Sequence, residues 1–442
     1  MIVSRRNALL STLFGAGYVG LRALATGLPV SLLLDPRRAL AAPGATCASA
    51  SKARFVIFAT SGNGDPLNAN VPGTYEDSKI THPTDPTMAA TPLSIGGQPY
   101  TAAAPWAALP QGVLDQTQFW HVMTNTPVHP KEGQVLELMG ATQASEMFPS
   151  LMAKALAPCL NTIQVQPISV GALNPSESLQ FGGAALPVIP PTALKATLTN
   201  PAGPLTNLQP LRDQTLNALY DLYKNGATPA QQQYIDSLVT SQQQVRSINQ
   251  SLLNGLASIT DNSQDSQILA ALTLIQLKVS PVISIHINFG GDNHRDIGPM
   301  GQGLYAEATQ TVTGVASIAS LMSQLKSLNL QDQVSFMSLN VFGRTLGPAN
   351  TEGRQHNANH HVALAIGSAF KGGVYGAVAP LGADYGATPM SSKTGAGGTS
   401  GDIEPVDTLS AWAMTMMASI GADPSVITPP VMTGKAITSV LA

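Results

Sequence analysis

Two segments of the chain show apolar residues at nearly alternating positions, and each ends in a polar turn. Residues 279–289 (VSPVISIHINF) are rich in β-branched residues and run into GGDNHRD. Residues 334–341 (VSFMSLNV) show the same pattern and run into FGRT. A period of two with β-branched residues is typical of strands, so both segments are predicted to be strands.

The segment between these two predicted strands shows a different spacing of apolar residues. Residues 303–328 carry apolar side chains at helical spacing, namely Leu304, Ala308, Val312, Val315, Ile318, Leu321, Met322 and Leu325. A strand, helix, strand unit predicts two parallel strands whose carboxyl ends open on the same edge of a sheet. Open α/β sheets bind ligands at that edge, so the turns that follow the two strands are expected to build a site.

The other elements extend this α/β pattern. RFVIFA (54–59), FWHVM (119–123) and HVALAIG (361–367) are predicted strands, and residues 132–152, 266–278 and 407–420 are predicted helices. Residues 76–111 lack periodicity and are predicted to form a long surface excursion. The sequence therefore predicts an α/β fold, a three-layer sandwich with a mostly parallel central sheet, spanning about 52–442.

Residues 205–256 are predicted to be a helical insert. They are rich in Gln, Asn, Leu and Ser, with a break at NGATP. Thr228 and Pro229 suit the N-cap and first position of a helix, which indicates two helices joined there.

The first 41 residues are predicted to be a targeting segment outside the fold. A paired-arginine SRRNALL precedes a mostly apolar stretch, and ALA at 39–41 offers a cleavage site. This arrangement resembles a twin-arginine signal, which exports folded proteins and predicts a periplasmic or secreted location. A membrane anchor is the alternative, although Arg22 and Pro29 interrupt a span that needs about 20 apolar residues.

Composition narrows the classes of function. Only 11% of residues are charged and the net charge is −3, so no basic surface indicates nucleic acid as a partner. The two cysteines, Cys47 and Cys159, could form one disulfide in an oxidising compartment or remain free thiols.

Histidines are concentrated near the predicted strand ends. Five of the eight histidines lie within 285–376, namely His286, His294, His356, His360 and His361. Asp292 and His294 share one turn and His356 lies on the next loop, and one Asp with two His can bind zinc or a similar divalent ion. Hydrogen-bonded turn residues are the alternative interpretation. One of His360 and His361 is expected to face the loop and the other to pack.

Further polar residues follow the other strands. Asp65 could place an oxygen ligand at the sheet edge, although Asp beside Gly and Pro is also an ordinary turn residue. Thr126 and His129 follow the strand at 119–123. Arg344 could pair with an anion or with a buried carboxylate.

The order of these motifs resembles a known bacterial family. GDPLNANVP, GGDNH, NVFGRT, GRQH and FKGGVYG, between about 55 and 376, resemble the family called domain of unknown function 1501, which is similar to the alkaline phosphatase and sulfatase superfamily. The resemblance implies an alkaline phosphatase-like fold. It also implies a metal site built by Asp65, Asp292, His294 and His356, with Thr126, His129 and Arg344 as catalytic candidates.

Three departures from the family pattern change what the resemblance implies. Val341 stands where an acidic residue usually precedes FGRT, Gln355 replaces an Asp, and Val128-His129 replaces the usual Ser-His. Loss of a carboxylate at Val341 removes a ligand that a second metal ion would need. At most one divalent ion (zinc, manganese or calcium) is therefore expected.

Two functions of different class follow. The first is an exported metal-dependent hydrolase of phosphate or sulfate esters. The second is a catalytically inactive periplasmic binding or assembly protein on the same fold, with an envelope protein as its partner. Convergence of the four predicted ligands within about 5 Å would favour the first, because ligand atoms lie about 2.0–2.6 Å from an ion. Scattered side chains would favour the second.

Overall fold

A computed structural model describes most of the chain from Arg54 onward. The described residues are 54–160, 162, 164–171, 179–199, 255–347, 352–431 and 433–442, with isolated positions between 214 and 232. The predicted targeting segment, Cys47 and nearly all of the predicted helical insert lie outside them. None of the helices in the described ranges has the length and apolar character that a membrane span requires.

A seven-stranded sheet forms the centre of a mixed α/β fold. Its strands, in chain order, are β1 (Phe55–Ser61), β2 (Thr117–Val122), β3 (Ile168–Ser169), β4 (Val282–His286), β5 (Val334–Asn340), β6 (His361–Ile366) and β7 (Gly373–Tyr375). Across the sheet the order is β7, β2, β6, β5, β1, β4, β3. Strand β6 runs antiparallel to both neighbours, and the other described pairings are parallel. The prediction of a mostly parallel sheet is therefore confirmed.

Strand β1 lies inside the sheet, paired with β5 and β4, and every one of its residues is buried. Phe55 and Ile57 pack into the apolar cluster on one face of the sheet, while Val56 and Phe58 pack into the cluster on the other. Since successive side chains of a strand point to opposite faces, one short segment supplies both cores. Helices cover both faces: Phe148–Leu160, Pro191–Thr199, Gln264–Gln276, Tyr305–Ser327 and Thr408–Ser419, with short helices at Gln111–Leu114 and Glu132–Leu136.

The predicted strand, helix, strand unit is present. Strands β4 and β5 are parallel, but each pairs with β1, which lies between them. The connecting helix Tyr305–Ser327 begins where the carboxylate of Asp296 accepts hydrogen bonds from the N–H groups of Ala306 (2.6 Å) and Glu307 (2.9 Å). These N–H groups have no partner within a helix, so Asp296 stabilises its first turn.

The continuous helix predicted at 132–152 is wrong. The chain instead forms the helix Glu132–Leu136, two short 3₁₀ turns and then the helix Phe148–Leu160. Leu138, Met139, Ala144 and Ser145 have positive φ angles, and a left-handed residue cannot continue a right-handed helix. The apolar spacing survives each break, which explains why the pattern suggested one helix.

The predicted excursion at 76–111 contains a regular hairpin. Ala90–Ile95 pairs antiparallel with Gln98–Ala103 around Gly96 and Gly97, which both have positive φ. Trp106 then fills the core and donates from Nε1 to the Asn70 carbonyl (2.9 Å). The segment is therefore packed on the domain and is not a surface excursion.

Short antiparallel ladders complete the fold. They pair Gln180–Phe181 with Ala184–Ala185, Gly343–Arg344 with His356–Asn357, and Val378–Leu381 with Asp384–Ala387. In the second ladder Arg344 lies directly opposite His356. Two residues that are distant in sequence are thereby held side by side.

Candidate metal centre

Loops that follow β2 and β4 meet the Gly343–Arg344 ladder beyond the carboxyl ends of the parallel strands. They bring together His129, Asp292, His294 and His356, and each offers one ligand atom within 4.8 Å of the others. This group could hold a metal ion.

The four side chains converge on one carboxylate oxygen. Asp292 Oδ1 lies 3.3 Å from His129 Nε2, 3.2 Å from His294 Nε2 and 3.8 Å from His356 Nε2. His294 Nε2 and His356 Nε2 are 2.9 Å apart.

The outward nitrogen of each histidine is held by an oxygen atom. His129 Nδ1 lies 2.7 Å from the Gly62 carbonyl, His294 Nδ1 lies 2.8 Å from Gln355 Oε1, and His356 Nδ1 contacts the Pro127 carbonyl. An oxygen acceptor requires a proton on Nδ1, which assigns the lone pair of neutral imidazole to Nε2. All three histidines therefore direct a lone pair into the cluster, as metal-binding histidines do.

The geometry fits one ion with these four ligands. Bonds of about 2.0–2.1 Å in a tetrahedron place neighbouring ligand atoms about 3.3 Å apart; the four separations given above run from 2.9 to 3.8 Å, and no two ligand atoms of the group are more than 4.8 Å apart. His129 Nε2 is buried and makes no hydrogen bond to any residue that the structure describes. Lone pairs that face one another at these distances repel unless a cation lies among them.

The charges around the cluster favour the ligand forms of its residues. Burial alone would raise the pKa of Asp292, but the hydrogen bond and charge of Arg344, with smaller effects of His129 and His294, lower it overall. Burial lowers the pKa of His356 against the opposing effect of the Pro127 carbonyl. An ionised Asp292 and a neutral His356 are the states that bind a metal.

Arg344 fastens the loops that carry the cluster. Its side chain is fully buried. Nε donates to the Gly64 carbonyl, and Nη2 lies 2.6 Å from the Asn63 carbonyl, 2.9 Å from the Gly291 carbonyl and 3.1 Å from Asp292 Oδ1. The structure therefore pairs Arg344 with a carboxylate, but Asp292 is exposed and is not the buried carboxylate that was predicted.

Substituting Arg344→Lys should weaken zinc binding by about 10- to 100-fold, the range seen when residues that orient metal ligands are changed. Lysine keeps the charge but loses the planar fork that reaches both loops. Competition with a chelator would measure the affinity, and Arg295→Lys, an exposed arginine on the same loop, is the matched control. Equal affinities for the two variants would contradict this role.

Phe342 forms the apolar wall of the cluster. Its buried ring lies 5.0 Å from the His129 ring and 4.3 Å from the His356 ring, between centroids. Gly64 passes the same ring with a φ of 65°, and a Cβ atom there would overlap it. Glycine is needed at this position for both its conformation and its size.

The structure brings together three of the four ligands implied by the resemblance, with His129 as the fourth. Asp65 is not in the group: it is fully buried, and its Oδ2 lies 3.4 Å from the Phe289 N–H nitrogen and 3.5 Å from Asn340 Nδ2. Thr126 is buried, and its hydroxyl makes no hydrogen bond within the described part of the chain. The signal for His129 was its place after a predicted strand at the same sheet edge.

The expectation that one of His360 and His361 faces the loop is wrong, because both are buried. Arg344 N–H donates to Asn68 Oδ1 (2.9 Å), so Asn68 Nδ2 faces His360 Nδ1 at 3.2 Å. His360 Nε2 then lies 2.9 Å from His121 Nδ1, whose Nε2 lies 2.9 Å from the Pro72 carbonyl. Each contact pairs one donor with one acceptor when both histidines are neutral.

Comparison with protein families agrees with the resemblance found in the sequence. The model of the family described as Protein of unknown function (DUF1501) matches residues 204–394, which include Asp292, His294, Arg344 and His356. No curated protein matches the chain. The match supports the relation to this family and gives no information on activity.

Proposed function

We propose that this chain, whose relation to the DUF1501 family the model match supports, is an exported metal-dependent hydrolase of phosphate or sulfate esters. It holds one divalent ion on His129, Asp292, His294 and His356. One observation carries the proposal: three Nε2 atoms lie around a single carboxylate oxygen while oxygen acceptors hold all three Nδ1 atoms.

The donor set favours zinc. Three imidazole nitrogens and one carboxylate oxygen suit zinc, whereas calcium takes six to eight oxygen ligands. A divalent ion with four protein ligands would need a fifth coordination position, which zinc can adopt in catalysis, and at that position it would supply the Lewis acidity that acidifies water or polarises an ester oxygen. Arg344 fixes the ligand-bearing loops, and its buried guanidinium makes it a positioning residue.

The reaction and access to it follow from the same geometry. The side chain of Asp292 is 57% exposed, so the cluster opens to solvent on that side. In hydrolysis an oxygen bonds to phosphorus or sulfur, the ester bond breaks and the departing oxygen takes a proton. Thr126 remains the positional candidate for a nucleophile, and water is the alternative.

Export is part of the proposal. The paired-arginine segment supports it, and so does Cys159, which is disulfide-bonded. The chain's other cysteine, Cys47, lies outside the described residues. The membrane takes part only through the signal segment before cleavage.

Metal analysis of the natively exported protein tests the proposal first. We expect about one zinc ion per chain, and a large loss of bound zinc in His294→Ala and in His356→Ala, because each variant removes one of the side chains that hold the ion. His82→Ala removes a histidine outside the cluster and should keep the metal. A folded native protein without metal would contradict the hydrolase.

A specific observation favours the second candidate, an inactive binding or assembly protein. Val341 is buried in an apolar cluster, so no carboxylate stands there for a second ion. Asp65 lies outside the ligand group. If the zinc-loaded protein turns over neither p-nitrophenyl phosphate nor p-nitrophenyl sulfate, the search should turn to an envelope partner.

A further inference from the structure

Exposed apolar side chains are concentrated on the chain segments that carry two histidines of the metal cluster. Seven large apolar residues of the described chain are exposed; three of them lie on the two loops that carry His129 and His294, and a fourth is the first residue of the helix that follows the second loop. These four are Val128, Ile297, Met300 and Tyr305, with exposed fractions of 39%, 41%, 94% and 39%. A group of apolar side chains at the rim of a site indicates contact with an apolar ligand, whereas single exposed residues need no explanation.

The loop that presents Met300 is held by backbone hydrogen bonds. Ile297 and Gly303 form an antiparallel bridge, and Gly298 N–H donates to the Gln302 carbonyl (2.7 Å). The loop rests on Asp296, whose carbonyl accepts from Leu304 N–H (2.8 Å). Met300 itself has a φ of 63°, a conformation that a non-glycine residue adopts at some cost in energy.

Chain connectivity keeps the start of this loop close to the cluster. Ile297 follows His294 by three residues, so their Cα atoms are at most about 10 Å apart. Val128 is the neighbour of His129 on the opposite loop. Gly298 packs directly beneath Tyr305, where a Cβ atom would overlap the ring, and this close packing holds Tyr305 at the base of the loop.

Charged residues on the same loops suit an anionic head group. Lys131 and Arg295 are exposed and lie two residues and one residue from the ligands His129 and His294. Exposed Glu352 is the acidic neighbour, since its carbonyl accepts from Asp296 N–H. A cation in the cluster would add the dominant positive charge of the rim.

We propose that the site selects amphiphilic esters, in which a phosphate or sulfate group is attached to a long alkyl or aryl group. The anionic group lies at the metal cluster, and the apolar group lies along Val128, Ile297, Met300 and Tyr305. This inference rests on the proposed function and names its substrate class. A small polar ester would leave the apolar rim in water.

Equilibrium binding to the zinc-loaded full-length protein tests the inference without relying on turnover. Decyl phosphate, used below its micellar concentration, should bind at least tenfold more tightly than methyl phosphate. The double variant Ile297→Ser with Met300→Ser should lower the affinity for decyl phosphate about fivefold or more, while metal content and the affinity for methyl phosphate stay unchanged. Val165→Ser, an exposed apolar residue (41%) outside these loops, is the matched control.

The outcomes separate this inference from the proposed function. Equal affinities for the two esters would overturn the amphiphile selection alone. Failure of both esters to bind, with zinc in place, would overturn the proposed ester hydrolase and this inference with it. Binding of the metal-free protein to vesicles of phosphatidylcholine and phosphatidylglycerol, lost in the double variant, would assign the apolar loop to a membrane surface and overturn the substrate assignment.

Discussion

Lowering the pH from 7 to 5 is expected to reduce the free energy of unfolding by several kcal/mol. His121 and His361 are fully buried within strands β2 and β6, and His360, directly before β6, is fully buried as well. Burial lowers the pKa of His121 to about 4 and that of His361 to about 3, and burial with the nearby His121 and His361 holds the pKa of His360 well below its usual value. The folded protein therefore keeps all three histidines neutral at pH 5.

The direction of this pH dependence follows from the number of protons that the folded and unfolded states bind. In the unfolded chain these histidines titrate near 6.5, so below that pH the unfolded state binds more protons than the folded state. Stability is fully present above about 6.5 and is lost as the pH falls toward the folded pKa values. Each bound proton changes stability by about 1.4 kcal/mol per pH unit, which gives roughly 2 kcal/mol per histidine between 6.5 and 5.

Urea unfolding at several pH values measures this dependence. The His294→Ala variant in the presence of a chelator is the suitable background, because release of a bound ion then makes no contribution. Adding His121→Gln should reduce the pH dependence by about one quarter, since burial lowers the pKa of His82 to about 4 as well and makes it a fourth such group. A free energy of unfolding that stays constant from pH 7 to 5 would show that these histidines do not titrate as their burial requires.

The sequence predicted the architecture around the site because strand direction places the turns. Alternation at 279–289 and 334–341, with a helical period between, led to parallel strands that open on one edge. Asp292, His294 and His356 meet there. Parallel pairing places the turns after β4 and β5 at one edge, which locates Asp292 and His294, while the short antiparallel ladder with Gly343–Arg344 holds His356 there.

That His129 and not Asp65 belongs to the cluster could not be predicted, because it depends on loop conformation. Phe342 occupies the space beside Gly64 and the His129 ring packs on the same phenyl group. Asp65 is directed instead toward Phe289 and Asn340. Only the folded path of the FGRT segment shows that an aromatic ring lies there.

Replacing Arg354 by Met is expected to lower the free energy of unfolding by about 3–5 kcal/mol, the range for removing one partner of a buried ion pair. Arg354 and Glu307 are both buried, with Arg354 Nε 2.7 Å from Glu307 Oε2. Asn70 Nδ2 also donates to Glu307 Oε1 (2.8 Å). The variant leaves the Glu307 carboxylate buried with the amide as its main remaining donor, and a buried charge without its partner is strongly destabilising.

Comparison with other variants separates this pair from a surface contact. Lys435→Met removes an exposed ion pair with Asp402 and should change urea stability far less, because solvent screens such pairs. Adding Glu307→Leu to Arg354→Met should restore part of the lost stability, since the unpaired charge is then gone. If the double variant is as unstable as Arg354→Met, the packing of the arginine is the cause and the charge is not.

The substitution Arg354→Met should also lower the zinc affinity of the metal cluster, because the backbone of Arg354 is bonded to the loop that carries two of the ligands. Arg354 lies two residues before His356, and its N–H donates to the Asn293 carbonyl (2.7 Å), between Asp292 and His294. The ion pair thus holds the His356 segment against the loop of two further ligands, with the helix Tyr305–Ser327 as the support. We expect zinc affinity in Arg354→Met to fall along with stability, while Lys435→Met keeps the native affinity. Loss of stability with unchanged zinc affinity would show that the two loops hold the ligands without help from this ion pair.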